Sequence, residues 1–345
     1  MAGALSGEAA KMMPIDFSSV ESLPDSHTWW PNGCSDIIHG SISIPVVDLT
    51  DPNAMESIRL ACEEWGIFQL KNHGIPLSLL KQVDDEIKHL FSLPSEQKLK
   101  ALRRRPGTTG YGPAAISPFF PKSMWHEGFV IVGSSYDEAK KVLPGHHELA
   151  RFCETMEEIQ KQLKIVAEKV TGVILEILGV RDEEKKWIKG DNVAFRMNSY
   201  PSCPEPDRAL GLAEHKDTSI ITFLHQTQVK NRTRSEIQTQ DQTRGLQIFK
   251  DGIGWVPVHP DPDVFVVQVG DILEILSNGR FGSVLHRVTV SGSAHRYSYA
   301  YFHRPSSEAL LSPFVSPPRF RALTLKELDA LKVKGRANAM PSISI

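Results

Sequence analysis

The amino-acid sequence predicts a mainly β protein with supporting helices, in which a jelly-roll core follows a helical N-terminal region. From Val193 onward the apolar runs are short, rich in β-branched residues and separated by turn residues, which is typical of antiparallel strands. Before Val193 apolar residues recur at steps of three and four, which indicates helices. These patterns divide the chain into an irregular arm over 1–42, a mixed helical region over 43–190, a jelly-roll core over 191–305 and a C-terminal segment over 306–345.

The N-terminal elements have recognisable boundary residues. In the arm, which lacks periodicity, Trp29 and Trp30 are expected to anchor the chain. Asp51 is predicted to cap the first helix, with Pro52 in its first turn, and Gly179 is predicted to end the longest helix. The predicted elements are a strand over 44–49 and helices over 53–65, 77–91 and 148–178.

The C-terminal half is predicted to consist of short strands. Asn278-Gly279 is expected to form a hairpin turn in this half, because these residue types tolerate the left-handed backbone that such turns need. The predicted strands cover 193–200, 219–225, 245–249, 255–258, 264–269, 272–276, 282–290 and 296–302, and a further strand is expected around 215–217.

A candidate metal site is formed by two histidines and one aspartate. His215 and Asp217 are one residue apart, so on a strand they project from the same face and can converge on one ion, while Lys216 points away. His286 lies on another predicted strand and supplies a third donor. Two imidazoles and one carboxylate on one face of a metal are the ligand set of non-haem Fe(II) oxygenases.

A candidate anion pocket follows the metal residues in sequence. Arg296 and Ser298 alternate along a predicted strand and therefore share a face. The planar guanidinium of arginine matches a carboxylate with two parallel hydrogen bonds, and a serine hydroxyl can add a third. This pair therefore predicts a site for a carboxylate.

The full motif resembles that of the plant-type 2-oxoglutarate and Fe(II)-dependent dioxygenases. The resemblance covers nearly the whole chain and includes the N-terminal segments 44–49 and 65–76. It rests on His215-x-Asp217, His286 and Arg296-x-Ser298, preceded by Asn198-Ser199-Tyr200.

The resemblance implies a fold and a set of site residues. The core is expected to be the cupin-like double-stranded β-helix, with His215, Asp217 and His286 as the catalytic Fe(II) ligands. The co-substrate 2-oxoglutarate is expected to chelate the iron, with dioxygen as oxidant and ascorbate as reductant. The residues expected to line the 2-oxoglutarate pocket are Arg296, Ser298, Tyr200 and Asn198.

A narrower resemblance is to the gibberellin 3-beta-dioxygenases, also called gibberellin 3-oxidases. It is carried by segments 23–29, 110–112, 116–129 and 200–212. It implies hydroxylation of a gibberellin at the 3-beta position in plant hormone biosynthesis. The same chemistry on another gibberellin position, or on an indole or phenolic compound, is an alternative, as is a binding protein that has lost turnover. Substrate contacts are expected from Phe119, Phe120, Trp125 and Tyr301.

Composition excludes several classes of function. The formal net charge of −2 and the absence of a long basic run argue against nucleic acid or an anionic membrane as the main partner. Four scattered cysteines indicate neither a disulfide framework nor a zinc site. No signal peptide or membrane helix is expected. We therefore expect a cytoplasmic monomer that acts on a hydrophobic small molecule.

Two features depart from the resembled family. Position 216 is Lys where that family usually has Thr, and His286 follows His215 by 71 positions, which is longer than usual. The excess lies in the polar segment 227–240, which predicts an extruded loop. A passive loop, a lid or partner-binding loop, and a defective insertion are the alternatives. The eleven other histidines, including His146 and His147, are interpreted as surface or packing residues.

Overall fold

The strands of the protein form two facing sheets and a short ribbon. The computed structural model describes residues 15–17, 19–33, 42–103, 108–181, 194–227, 245–335 and 339–345. The described strands are β1 (Val46–Asp48), β2 (Ile67–Lys71), β3 (Gly110–Gly112), β4 (Glu127–Val132), β5 (Ala194–Tyr200), β6 (Leu210–His215), β7 (Ile221–Gln226), β8 (Leu246–Lys250), β9 (Gly254–Pro257), β10 (Phe265–Val269), β11 (His286–Thr289), β12 (Arg296–His303), β13 (Leu310–Leu311) and β14 (Leu323–Thr324).

Seven α-helices are present in the described part of the chain. They are α1 (Ala54–Glu64), α2 (Leu77–Ser92), α3 (Ser95–Lys98), α4 (Tyr136–Val142), α5 (His146–Ile177), α6 (Asp271–Leu276) and α7 (Leu325–Lys334). Short 3-10 helices cover Asp25–His27, Leu99–Ala101, Ser117–Phe119 and Met340–Ser342. None of the described helices combines the length and the apolar character needed to cross a bilayer.

The two large sheets form the predicted jelly roll. The larger sheet has the strand order β1-β2-β10-β7-β12-β5-β4-β3, and the smaller has the order β6-β11-β8-β9. Apolar residues of both sheets, including Leu212, Leu224, Ile248 and Val288, pack into one cluster between them. The prediction of a mainly β fold with a jelly-roll core and supporting helices is therefore confirmed.

The larger sheet has two different faces. Along β12, Ala300 joins the cluster between the sheets, whereas Tyr299 and Tyr301 join a second apolar cluster that contains residues of α2 and α5. Phe152 and Leu163 of α5 belong to this second cluster. Since successive side chains of a strand point to opposite faces, one face of the sheet is covered by helices and the other looks into the jelly roll.

The predicted N-terminal helices are confirmed with small shifts at their ends. Gly179 has a left-handed backbone just past α5, as expected. The capping prediction for Asp51 was wrong: α1 begins at Ala54 after Asn53, and the Asp51 carboxylate accepts a hydrogen bond from the Asn53 N–H at 2.7 Å. Asp51 therefore stabilises the turn before the helix, because its short side chain reaches only two residues along the backbone.

The predicted strand over 272–276 was wrong, because this segment is helix α6. A short apolar run fits a buried strand or a buried helix equally well, and its surroundings decide between them. The hairpin prediction for Asn278-Gly279 was also wrong. Both residues have positive φ, but they end α6, with the Gly279 N–H bonded to the Glu274 carbonyl.

The arm is anchored as predicted where it is described. The Trp29 N–H donates to the Arg208 carbonyl, and its indole N–H donates to the Ser123 carbonyl, both at 2.8 Å. Cys62, Cys153 and Cys203 are buried, and no disulfide joins them. The predicted loop over 227–240 falls almost entirely on residues 228–244, which lie outside the described residues.

A test of the fold uses one glycine beside α6. A Cβ atom at Gly270 would lie 2.2 Å from the Ser219 carbonyl oxygen. Gly270→Ala is therefore expected to lower the free energy of unfolding by about 1–3 kcal/mol, as crowding of a packed interior does. Urea denaturation measures the change. The matched control is Gly172→Ala in α5, where nothing lies within 4 Å of the added carbon, so this variant should be slightly more stable. Equal stability of both variants would contradict the packing.

Candidate metal centre and co-substrate pocket

His215, Asp217 and His286 lie together at one end of the smaller sheet. His215 ends β6, and His286 begins β11 directly opposite it. The Asp217 Oδ1 atom lies 3.6 Å from His215 Nε2 and 3.8 Å from His286 Nε2. One donor atom from each residue lies within 4.8 Å of the others. The three side chains therefore surround a space of the size that one metal ion needs.

Backbone carbonyls orient both imidazoles. His215 Nδ1 lies 2.8 Å from the Ala213 oxygen, and His286 Nδ1 lies 3.2 Å from the Val284 oxygen. Because a carbonyl can only accept, each Nδ1 carries the hydrogen and each Nε2 presents its lone pair to the shared space. Burial and, to a smaller extent, the neighbouring His286 lower the pKa of His215 to about 3. The neutral imidazole is the form that binds a metal.

The structure corrects the reason why Asp217 reaches the site. Strand alternation was predicted to place it, but β6 ends at His215 and Asp217 lies in the following loop. Its carbonyl accepts a 2.8 Å hydrogen bond from the N–H of Asp271, the first residue of α6. Burial raises the pKa of Asp217, but the imidazoles of His286 and His215 and a hydrogen bond from Thr222 outweigh burial and lower it.

The C-terminal helix holds the same loop from behind. The Lys332 ammonium of α7 donates to the Lys216 carbonyl at 2.8 Å and pairs with the Asp271 carboxylate at 2.6 Å. Lys332 and Asp271 are both buried. The Lys216 side chain lies 3.4 Å from Glu274, consistent with its predicted direction away from the metal donors. Sequence analysis missed Lys332, because no local pattern connects it to residues more than a hundred positions earlier.

The four residues expected around 2-oxoglutarate lie on two paired strands. Arg296 is opposite Tyr200, and Ser298 is opposite Asn198. Asn198 Nδ2 donates to the Ser298 hydroxyl at 3.3 Å, and the Arg296 guanidinium carbon lies 5.1 Å from the centre of the Tyr200 ring. Gln226 on β7, which sequence analysis did not identify, accepts a hydrogen bond from Arg296 Nη2.

Arg296 is suited to bind an anion. It is buried, and its Nε and Nη1 atoms have no hydrogen-bond partner among the described residues. Burial lowers the pKa of Arg296, which means that keeping the guanidinium charged costs free energy of desolvation. A bound carboxylate would offset that cost. The donor set of His215, Asp217 and His286 likewise suits Fe(II) with open positions. The residues present therefore fit both iron and a dicarboxylate co-substrate.

Two further polar residues adjoin Asn198. Arg196 Nε donates to Asn198 Oδ1 at 2.8 Å, and His126 Nε2 lies 3.1 Å from the same oxygen. His126 was grouped with the surface or packing histidines, which does not describe this position. The alternation of Arg196, Asn198 and Tyr200 along one strand face was the sequence signal that could have identified Arg196.

The expected substrate contacts are only partly compatible with the structure. Tyr301 was a wrong choice, since it lies on the helix-covered face of β12. Trp125 is fully buried, and its indole N–H donates to the Pro201 carbonyl, which is a packing role. Phe119 and Phe120 are half-buried, and the Phe120 ring contacts Trp29.

Comparison with known proteins identifies the class of this protein. The family model of the 2OG-Fe(II) oxygenase superfamily matches residues 192–305. A second family model, described as "non-haem dioxygenase in morphine synthesis N-terminal", matches residues 44–148. The chain belongs to the 2-oxoglutarate and Fe(II)-dependent dioxygenases and is an oxidoreductase.

Relatives that match most of the chain include gibberellin 3-beta-dioxygenases. Gibberellin 3-beta-dioxygenase 1 of Pisum sativum is 39% identical over 349 residues, covering 96% of this chain and 89% of that protein. Gibberellin 3-beta-dioxygenase 1 of Arabidopsis thaliana is 40% identical over 332 residues, covering 90% and 88%. A crystal structure of JOX2 in complex with 2OG, Fe and JA is 26% identical and covers 98% of this chain and 97% of that chain, with a TM-score of 0.78.

The clasp of Lys332 on the metal loop is testable. Lys332→Met leaves Asp271 buried without its partner, so we expect the free energy of unfolding to fall by about 3–5 kcal/mol. Metal affinity should fall about 10- to 100-fold, as it does when residues that orient ligands are lost. Urea denaturation and anaerobic titration of the apoprotein with Co(II) measure the two effects. The exposed Lys334→Met is the matched control, and equal Co(II) affinity of the two variants would contradict the clasp.

Proposed function

We propose that this protein hydroxylates a gibberellin at the 3-beta position, using Fe(II) and 2-oxoglutarate. The observation that carries the proposal is the convergence of two neutral imidazoles and one carboxylate next to a buried guanidinium whose N–H groups are not all used. The gibberellin 3-beta-dioxygenases that match nearly the whole chain support the substrate.

In this proposal His215, Asp217 and His286 hold the iron. One carboxylate against a divalent ion leaves a net charge of about +1, which attracts an anionic chelating co-substrate. When bound, iron and 2-oxoglutarate supply oxidative decarboxylation of the co-substrate coupled to hydroxylation of an unactivated C–H bond. The protein orients the reactants and excludes water.

The residues of β5 and β12 bind the co-substrate. Arg296 donates paired hydrogen bonds to the far carboxylate of 2-oxoglutarate, and the Ser298 hydroxyl adds another. Tyr200 packs beside the guanidinium, and Asn198 fixes the Ser298 hydroxyl.

Several further properties belong to the same proposal. Ascorbate serves as the reductant that keeps the iron ferrous, and dioxygen is the oxidant. The enzyme works as a monomer in the cytoplasm, without nucleic-acid or membrane partners. The four predicted regions act as one catalytic unit. They are the arm over 1–42, the helical region over 43–190, the jelly roll over 191–305 and the C-terminal segment over 306–345.

The decisive experiment measures product and succinate together. Purified protein is incubated with Fe(II), ascorbate, 2-oxoglutarate and a panel of gibberellins, and both products are followed by mass spectrometry. We expect succinate in equal amount to a 3-beta-hydroxylated gibberellin, and no turnover by Asp217→Ala, because that variant loses the only carboxylate among the three donors. His146→Ala removes an exposed histidine and is the control.

Each other outcome points to a different function. Coupled hydroxylation at another position, or of an indole or phenolic compound, would replace the substrate and keep the chemistry. Tight gibberellin binding without succinate would indicate a binding protein. Turnover by Asp217→Ala would contradict the ligand assignment.

The role of Arg296 predicts a change in co-substrate requirement. Arg296→Leu removes the charge opposite the far carboxylate, so the KM for 2-oxoglutarate should rise about 30-fold or more. Arg296→Lys keeps the charge without the planar pair of donors and should give an intermediate KM. Initial rates over a range of 2-oxoglutarate concentrations measure both variants. An unchanged KM in Arg296→Leu would exclude Arg296 as the carboxylate partner.

A further inference from the structure

A second group of basic side chains lies beside the co-substrate pocket. This basic cluster consists of Arg103, Arg196 and His126. Arg196 Nη2 lies 3.4 Å from His126 Nε2. Burial lowers the pKa of Arg103 to about 10, with a further contribution from the charge of Arg196. Burial also lowers the pKa of His126, with contributions from both arginines. Two guanidinium groups and a neutral imidazole therefore lie close together, and the two guanidinium charges repel each other.

Several buried polar atoms of the basic cluster have no hydrogen-bond partner within the described ranges. Arg103 Nε and Nη2 and His126 Nδ1 are buried and make no hydrogen bond there. The acceptor that Arg196 contacts is the neutral amide oxygen of Asn198.

Buried lysines elsewhere in the protein contrast with this arrangement. Lys98 pairs with Glu127 at 2.6 Å, and Lys332 pairs with Asp271 at the same distance. Buried charges are normally paired, because desolvation of an isolated charge is costly. The basic cluster is therefore the kind of exception that indicates a ligand of opposite charge.

The basic cluster adjoins the metal centre but is distinct from the Arg296 pocket. Arg196 lies on the same strand face as Asn198 and Tyr200, and its charge influences both Asp217 and His215. Asn198 lies between the two cationic sites: its amide nitrogen bonds Ser298, and its amide oxygen bonds Arg196. Because Arg296 already offers N–H groups to one carboxylate, the basic cluster is available for a second one.

We propose that the basic cluster binds a carboxylate of the substrate and thereby orients the substrate at the metal centre. The inference rests on the proposed function and deepens it, since gibberellins are carboxylic acids. Arg103 is the principal donor, because its Nε and Nη2 atoms are uncommitted, whereas Arg196 is used in part to hold Asn198. The bound carboxylate offsets the repulsion between the two guanidinium groups.

The test removes the negative charge of the ligand carboxylate in one arm and the positive charge of Arg103 in the other. A gibberellin without a 3-beta hydroxyl and its carboxyl methyl ester are titrated into the anaerobic protein loaded with Fe(II) and 2-oxoglutarate. Wild-type protein should bind the acid about 30-fold more tightly than the ester, the ratio typical of a charge-assisted hydrogen bond. Arg103→Met should bind both ligands as weakly as wild type binds the ester, and Arg103→Lys should recover part of the preference for the acid.

Controls separate this inference from a structural role of Arg103. Arg304→Met removes a half-buried guanidinium that pairs with Asp329 outside the site, so it should keep the wild-type preference for the acid. The affinity of Arg103→Met for 2-oxoglutarate should equal that of wild type. A rise in its Kd for 2-oxoglutarate, or equal binding of acid and ester by wild type, overturns the inference. Aerobic turnover tests the proposed function separately, because binding is measured without reaction.

Discussion

The site depends on holding one carboxylate against two neutral imidazoles. The imidazoles of His215 and His286 are fixed by carbonyls two residues before each of them. The carboxylate of Asp217 has no strand to hold it, so its loop depends on the first N–H of α6 and on the Lys332 clasp. Without these restraints the three side chains could hydrogen-bond to water instead. Metal binding would then have to offset the conformational entropy that is lost when the loop becomes ordered.

In the jelly roll, successive side chains of a strand alternate between the space between the sheets and the packed layer on the other face. On β12, Arg296 and Ser298 point between the sheets, whereas Tyr299 packs on the helical side. On β5, Asn198 lines the pocket, while Ser199 faces the reverse side and donates to Glu127 at 3.3 Å. Each strand thus contributes alternately to the pocket and to the layer that supports it, and a shift of one residue in register would exchange the two.

Two arrangements recur among the buried and half-buried cations of the described residues. Lys98 and Lys332 are each paired with a buried carboxylate, and both pairs join segments that are distant in sequence. Arg196 and Arg296 instead donate to the neutral side chains of Asn198 and Gln226, and Arg103 Nε and Nη2 make no hydrogen bond with the described residues. Since a buried charge is costly without compensation, we infer that the two lysine pairs stabilise the fold, and we propose that the three arginines bind anionic ligands.

The sequence by itself determined the residue types of the site and the strands that carry them. The set His215-x-Asp217, His286 and Arg296-x-Ser298 and its resemblance to a known motif predicted the candidate metal donors and the carboxylate pocket, because residue types and spacings are local signals, although strand alternation does not place Asp217. The helix α6, the placement of Asp217 and the roles of Lys332, Gln226 and Arg103 depend on contacts between distant segments. Only the tertiary structure decided them, since a short apolar run or a single basic residue has no preferred partner until the chain is folded.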